Sequence, residues 1–185
     1  VYCQVGKTIK KSSKRETFFQ PDIIYKEVDQ HIKQLSKDNL PDYLTFVSNG
    51  EPTLDINLRT AIKLLKKQGI PVAVITNASL MMLESVREDL FMADWVSIKI
   101  DAGDNKIWQV INRPYHDLNF GSILNGIEIF SREFKGILCT ETMLVKGIND
   151  SVENISNVSE FIKKLYLLKS YLSIPIRPPA FKSVK

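Results

Sequence analysis

Five apolar runs of strand length, 43–47, IPVAVITN (70–77), DWVSIKID (94–101), GILCTETMLV (136–145) and YLSIPI (171–176), alternate with stretches whose apolar residues recur at helical spacing. Runs that are apolar on both faces belong to strands buried on both sides, and helices lying between them make a parallel sheet the only economical solution. The intervening helices are expected over 21–37, 58–68, 80–91, 120–134 and 151–165, the second closed by Gly69 in the role that glycine fills after a helix. With 185 residues and 44% hydrophobic composition, the chain has enough material for one core, so a single domain over 1–185 is expected.

Two closures satisfy this pattern, a doubly wound sheet and a partial barrel. The strand ends choose between them. Ser48-Asn49-Gly50-Glu51, Thr76-Asn77, Lys99 with Asp101, Glu141 with Lys146, and Arg177 all stand where a strand run gives out. In a barrel such ends share one mouth, whereas a doubly wound sheet divides them at its switch point and carries a glycine fingerprint that is missing here. The expected architecture is therefore α/β, a partial parallel (βα) barrel.

The opening VYCQVGKT offers a false lead. A P-loop needs glycine five residues before Gly6 and a helix after its lysine, but Val1 fills the first place and a polar basic stretch follows Lys7. Cys3 lies in this polar segment, whereas Cys139 lies within an apolar run and reads as a small core residue. Two cysteines in such different settings indicate no disulfide framework, which favours a reducing, cytoplasmic setting. His31 and His116 have no metal-ligand spacing and read as surface residues. The net charge of +4, with lysines gathered in a basic loop at 7–15, suits solvated surface or contact with an anionic partner. No run is long enough to span a membrane.

Taken in order, Cys3, Gly50-Glu51-Pro52-Thr53, Thr76-Asn77, Ser97-Ile98-Lys99-Ile100-Asp101 and Leu144-Val145-Lys146-Gly147-Ile148-Asn149-Asp150 resemble the radical S-adenosylmethionine (SAM) superfamily over nearly the whole chain. INRP (111–114), TETMLVKGIND (140–150) and RPPA (177–180) resemble its iron–sulfur oxidoreductase group, akin to wyosine-base-forming and glycyl-radical-activating enzymes. The resemblance implies a [4Fe-4S] cluster on three cysteines with one iron left open for SAM. Cys3, preceded by the aromatic Tyr2, corresponds to the third cysteine. The first strand and the first two cysteines then precede Val1, and the sequence is expected to be a segment of a longer protein that lacks cluster and activity by itself.

The resemblance further implies that Gly50, Glu51, Pro52, Asn77, Lys99, Asp101 and Glu141 bind the cofactor, the loop at 50–53 receiving the SAM ammonium and Glu51 adding negative charge. As a bare turn, the same loop needs no ligand: glycine permits the bend and proline presets it. Lys99 and Asp101 share a face of their strand and equally suit a buried ion pair, while Glu141 requires a cation such as Lys99 or Arg177. The implied chemistry is reductive cleavage of SAM to a 5′-deoxyadenosyl radical that takes hydrogen from a substrate, with an external one-electron donor and either tRNA or a protein as substrate. The alternative is a barrel module that binds SAM or a nucleotide without a cluster. The segment up to about residue 17 is expected to be poorly held, as chain ends commonly are.

Overall fold

The computed structural model describes residues 1–3, 11–47 and 50–177. Its strands are β1 (Leu44–Phe46), β2 (Val72–Thr76), β3 (Trp95–Lys99), β4 (Ile137–Met143) and β5 (Lys169–Ser173). They form one sheet in the order β1-β2-β3-β4-β5, with every neighbouring pair parallel. The order never reverses, so there is no switch point, and right-handed crossovers carry all the helices to one side. This is a partial (βα) barrel.

The helices are α1 (Pro21–Ile32), α2 (Leu58–Leu65), α3 (Glu84–Leu90), α4 (Asn105–Ile111), α5 (Phe120–Glu133) and α6 (Val152–Ile162). Pro21 starts α1, where its missing N–H costs nothing. The helix stops well short of residue 37 because a separate 3-10 turn occupies Lys37–Asn39. Beyond α2, a 3-10 turn over Lys66–Gln68 ends on Gly69 at φ 73°, a left-handed geometry that glycine adopts without steric cost.

The expected helix over 80–91 is shorter at its start. Ala78 has φ 62° and Leu83 is extended, so residues 80–83 form a turn that inserts Leu80 and Met81 into the core, each no more than 1% exposed. Gly126 of α5 packs on this turn, and a Cβ there would lie 2.1 Å from the Met81 carbonyl oxygen. Helix α4 was not among the sequence expectations. It is capped by Asp104, whose carboxylate accepts from the Lys106 and Ile107 amides. Strand β5 lies earlier than expected: Lys169 pairs with Cys139 and Ser173 with Met143, which leaves Ile174-Pro175-Ile176 beyond the ladder, where a proline without a donor is tolerated.

The core fills the space between sheet and helices, from Ile62 and Leu65 of α2 through Val72, Val74, Val96 and Ile98 to Ile127 and Phe130 of α5. Stacked rings of Phe91, Phe130 and Phe134 close one end.

The expectation of a loose segment up to residue 17 is overturned for the residues described. Glu16 pairs in parallel with Asp55, and the Arg15 guanidinium donates to the Thr53 and Asp55 carbonyls at 2.9 and 3.0 Å and forms an ion pair with the buried Asp89. Arg15 is thus an internal clamp rather than part of a basic surface. Lys11 donates to the Arg113 carbonyl. Residues 7–10 of the basic loop lie outside the described residues, as do Ser48, Asn49 and the RPPA segment after Arg177.

Candidate functional site

The strand ends meet at one mouth. β3 supplies Lys99 and, just past its end, Asp101, only 3% exposed. A buried carboxylate is costly without hydrogen-bond partners, and Asp101 has a partner on each oxygen. Its Oδ1 accepts from the Met143 amide at 2.8 Å; its Oδ2 accepts from the Tyr2 hydroxyl and from Asn112 Nδ2 at 3.3 Å. Its backbone carbonyl accepts from the amides of Asn149 and Asn154 at 2.8 and 3.4 Å. Asp101 therefore ties the first residues of the chain, the end of α4 and the loop after β4 to the centre of the sheet.

Lys99 and Glu141 are register partners across β3 and β4, and the ammonium lies 3.5 Å from Glu141 and 4.0 Å from Asp101. It also sits 4.9 Å above the Tyr2 ring centre, within the range of a cation–π contact. Burial, then the Asp101 charge, pushes the Tyr2 phenol well above its ordinary value. The Val1 nitrogen donates to the Ile111 carbonyl at 2.8 Å. Residues 1–3 are thus anchored, contrary to the expectation of a mobile end, and the exposed Cys3 follows directly on Tyr2.

Beside this group, Glu51 turns inward, 8% exposed. It caps the turn at Pro52–Leu54 by accepting from the Thr53 amide and hydroxyl at 3.1 and 2.7 Å. The same carboxylate accepts from the Thr76 hydroxyl at 2.6 Å and the Asn77 amide at 2.7 Å. Burial pushes its carboxyl up despite these four donors. Glu51 is thus a brace between the 50–53 loop and the end of β2, and its charge is already engaged.

Asn77, Ser79, Lys99, Asp101, Trp108 and Asn112 line a narrow cleft of about 20 Å³. Of the residues expected to bind cofactor, Asn77, Lys99 and Asp101 thus share one cleft, and Glu141 adjoins it through Lys99. Glu51 and the buried Pro52 stand behind it, while Gly50 is exposed on the loop. Of the two cations expected beside Glu141, Lys99 is found there.

Sequence reasoning assigned no role to Asn112, Asn149 or Asn154. The first two lie inside INRP and TETMLVKGIND, so the motifs held the signal without revealing which atoms mattered. Cys139 is buried in β4 between Ser97 and Lys169, and burial raises its thiol. It is a core residue, and no group of three metal-ligating side chains forms among the described residues. The donor set therefore fits a polar small molecule in the cleft, while a four-iron cluster needs more thiolates than Cys3 alone.

Residues 1–158 match the family model described as "Radical SAM superfamily". The chain belongs to the radical SAM superfamily. Among curated proteins it is 48% identical over 185 residues to a UPF0026 protein of Methanocaldococcus jannaschii, covering all of this chain and 57% of that relative. Among solved structures it resembles TYW1 with a lysine-pyruvate adduct bound, at TM-score 0.70 and 20% identity over 100% of this chain and 65% of that one. It also resembles a domain of the pyruvate-formate lyase-activating enzyme from Bacteroides vulgatus, at TM-score 0.56 and 21% identity over 77% of this chain and 83% of that one. These two likenesses establish a shared radical SAM fold. No helix among the described residues is long and apolar enough to cross a membrane.

Proposed function

We propose that the protein containing this chain is a radical SAM enzyme that holds SAM in the strand-end cleft and a [4Fe-4S] cluster beside it. The observation that carries this reading is the attachment of Tyr2, the neighbour of Cys3, to Asp101 at the cleft that Asn77 and Lys99 also line. Cys3 is the cluster ligand this chain contributes, and the other thiolates come from outside these 185 residues. When bound, cluster and SAM supply one-electron reductive cleavage of the sulfonium and, through it, hydrogen-atom abstraction.

The chain's own residues place and shield these groups. Glu51 fixes the 50–53 loop against β2, so that its backbone carbonyls have a set position for the SAM ammonium. Asp101 holds the Cys3 segment to β3. Lys99, flanked by two carboxylates, balances their charge and provides a cation for a ligand carboxylate or hydroxyl.

The electron comes from an external one-electron donor, and the reading places the protein in the cytoplasm. For the substrate, the motif resemblance to wyosine-base-forming enzymes favours tRNA and that to glycyl-radical-activating enzymes favours a protein. Arg15 and Lys11 are both engaged within the chain, which weakens the case for the 7–15 loop as a phosphate-binding surface.

The test uses the full-length protein. Anaerobic reconstitution should give charge-transfer absorption, and a strong reductant should then yield 5′-deoxyadenosine and methionine from SAM. Cys3→Ala should abolish both signals. An intact cluster in that variant, or no SAM cleavage in the reconstituted wild type, would overturn the reading.

A further inference from the structure

Asn112 ends α4 and lines the cleft. Its Nδ2 donates to Asp101 Oδ2 at 3.3 Å, whereas its Oδ1 is buried with no hydrogen-bond partner among the described residues. Turning the amide over would not relieve this, because it would set Oδ1 against the Asp101 carboxylate, acceptor against acceptor. That carboxylate is itself fixed by the Met143 amide and the Tyr2 hydroxyl. The orientation is thus imposed from the centre of the sheet, and a buried acceptor left without a donor is unfavourable in the free protein. Such atoms are rare in folded chains and call for an explanation.

We infer that Asn112 Oδ1 is a ligand-binding atom, which accepts a hydrogen bond from a hydroxyl or amino group on the nucleoside half of the bound ligand. The cavity that Asn112 lines, about 20 Å³, is large enough for one water-sized group and too small for a ring. The ligand therefore inserts a single donor here, and its rings lie outside this cavity. Because the amide cannot turn over, a ligand with an acceptor in that position is rejected. Asn112 thus reads the ligand, and Asp101 positions Asn112. The inference rests on the SAM reading given above.

The experiment is a binding cycle on the reconstituted full-length protein, with iron content and thermal unfolding checked for each variant. Asn112→Leu keeps the shape of the side chain and removes the acceptor; should it fail to fold, Asn112→Ala takes its place. Dissociation constants are measured for SAM and for its 2′-deoxy, 3′-deoxy and N6,N6-dimethyl analogues. SAM should bind the variant about tenfold more weakly, the loss expected for one neutral hydrogen bond. The one analogue that lacks the matching donor should bind wild type and variant equally, which identifies a ribose hydroxyl or the adenine amino group as the source. Equal SAM affinity in wild type and variant overturns the inference and leaves the SAM reading intact. A reconstituted wild type that does not bind SAM overturns the SAM reading, and this inference with it.

Discussion

The Tyr2 hydroxyl donates to the carboxylate of Asp101, a residue 99 positions further along the chain. Through this bond the segment that carries Cys3 takes its position from the central strand of the sheet. The phenol is buried and its ionisation is pushed well above the usual tyrosine range. Above pH about 10 the unfolded chain therefore releases a proton that the folded chain retains, and stability falls as pH rises through that window. Tyr2→Phe should flatten this alkaline loss in denaturant titrations from pH 9 to 11. In a spectrophotometric titration the variant should lack the last tyrosine to ionise. An unchanged titration curve would contradict the placement of Tyr2.

Glu51→Gln tests the brace between the 50–53 loop and β2. Glutamine offers one carbonyl oxygen to donors that now share two carboxylate oxygens, and its amino group would face the Asn77 or Thr53 amide. Relief of the burial penalty works in the opposite direction, but leaving a buried backbone donor unpaired costs about 1–3 kcal/mol, and that effect should win. Chemical denaturation at pH 7 should show the loss. A more stable variant would mean that the carboxylate is held against its own preference.

Arg15→Ala should cost about 3 kcal/mol, because it leaves the buried Asp89 without its partner. Arg15→Lys should recover little of this, since an ammonium cannot reach the Thr53 carbonyl, the Asp55 carbonyl and Asp89 together as the guanidinium fork does. Full recovery by lysine would show that charge alone is needed.

Gly126→Ala places a methyl group 2.1 Å from a backbone oxygen. The gain in helix propensity, up to about 1 kcal/mol, is outweighed by overpacking against backbone, roughly 1–3 kcal/mol or more. Gly121→Ala in the same helix meets nothing nearer than Asn119 Oδ1 at 3.5 Å and should be neutral or stabilising. Thermal unfolding of the pair separates the two effects.

The inner strands β2 and β3 were legible because both their faces are apolar and buried, and the polar residues at the strand ends pointed to one mouth. Helix α4 was not, since seven residues give too short a period and Pro114 just beyond suggests a loop. The proline in Ile174-Pro175-Ile176 was the clue that β5 lay earlier. Glu51 was read as negative charge beside SAM, and its bracing role was hidden because its donors Thr76 and Asn77 lie a full βα unit away. Arg15 was read as one more member of a basic run because Thr53, Asp55 and Asp89 are distant in sequence. In each case the missing information was a contact between segments that local pattern does not encode.

The unreversed strand order also bears on how the chain comes to be folded. On a ribosome, β2 emerges to find β1 already made, and each later strand likewise meets a completed neighbour, so the sheet grows by one rung per βα unit with few long loops to close. The bonds from Tyr2 to Asp101 and from Arg15 to Asp89 are the exceptions. They must wait until β3 and α3 have been synthesised, and until then Tyr2 and Arg15 lack these partners. Assembly of the mouth is therefore timed by translation, with Tyr2 and Arg15 seated only after the segments that receive them.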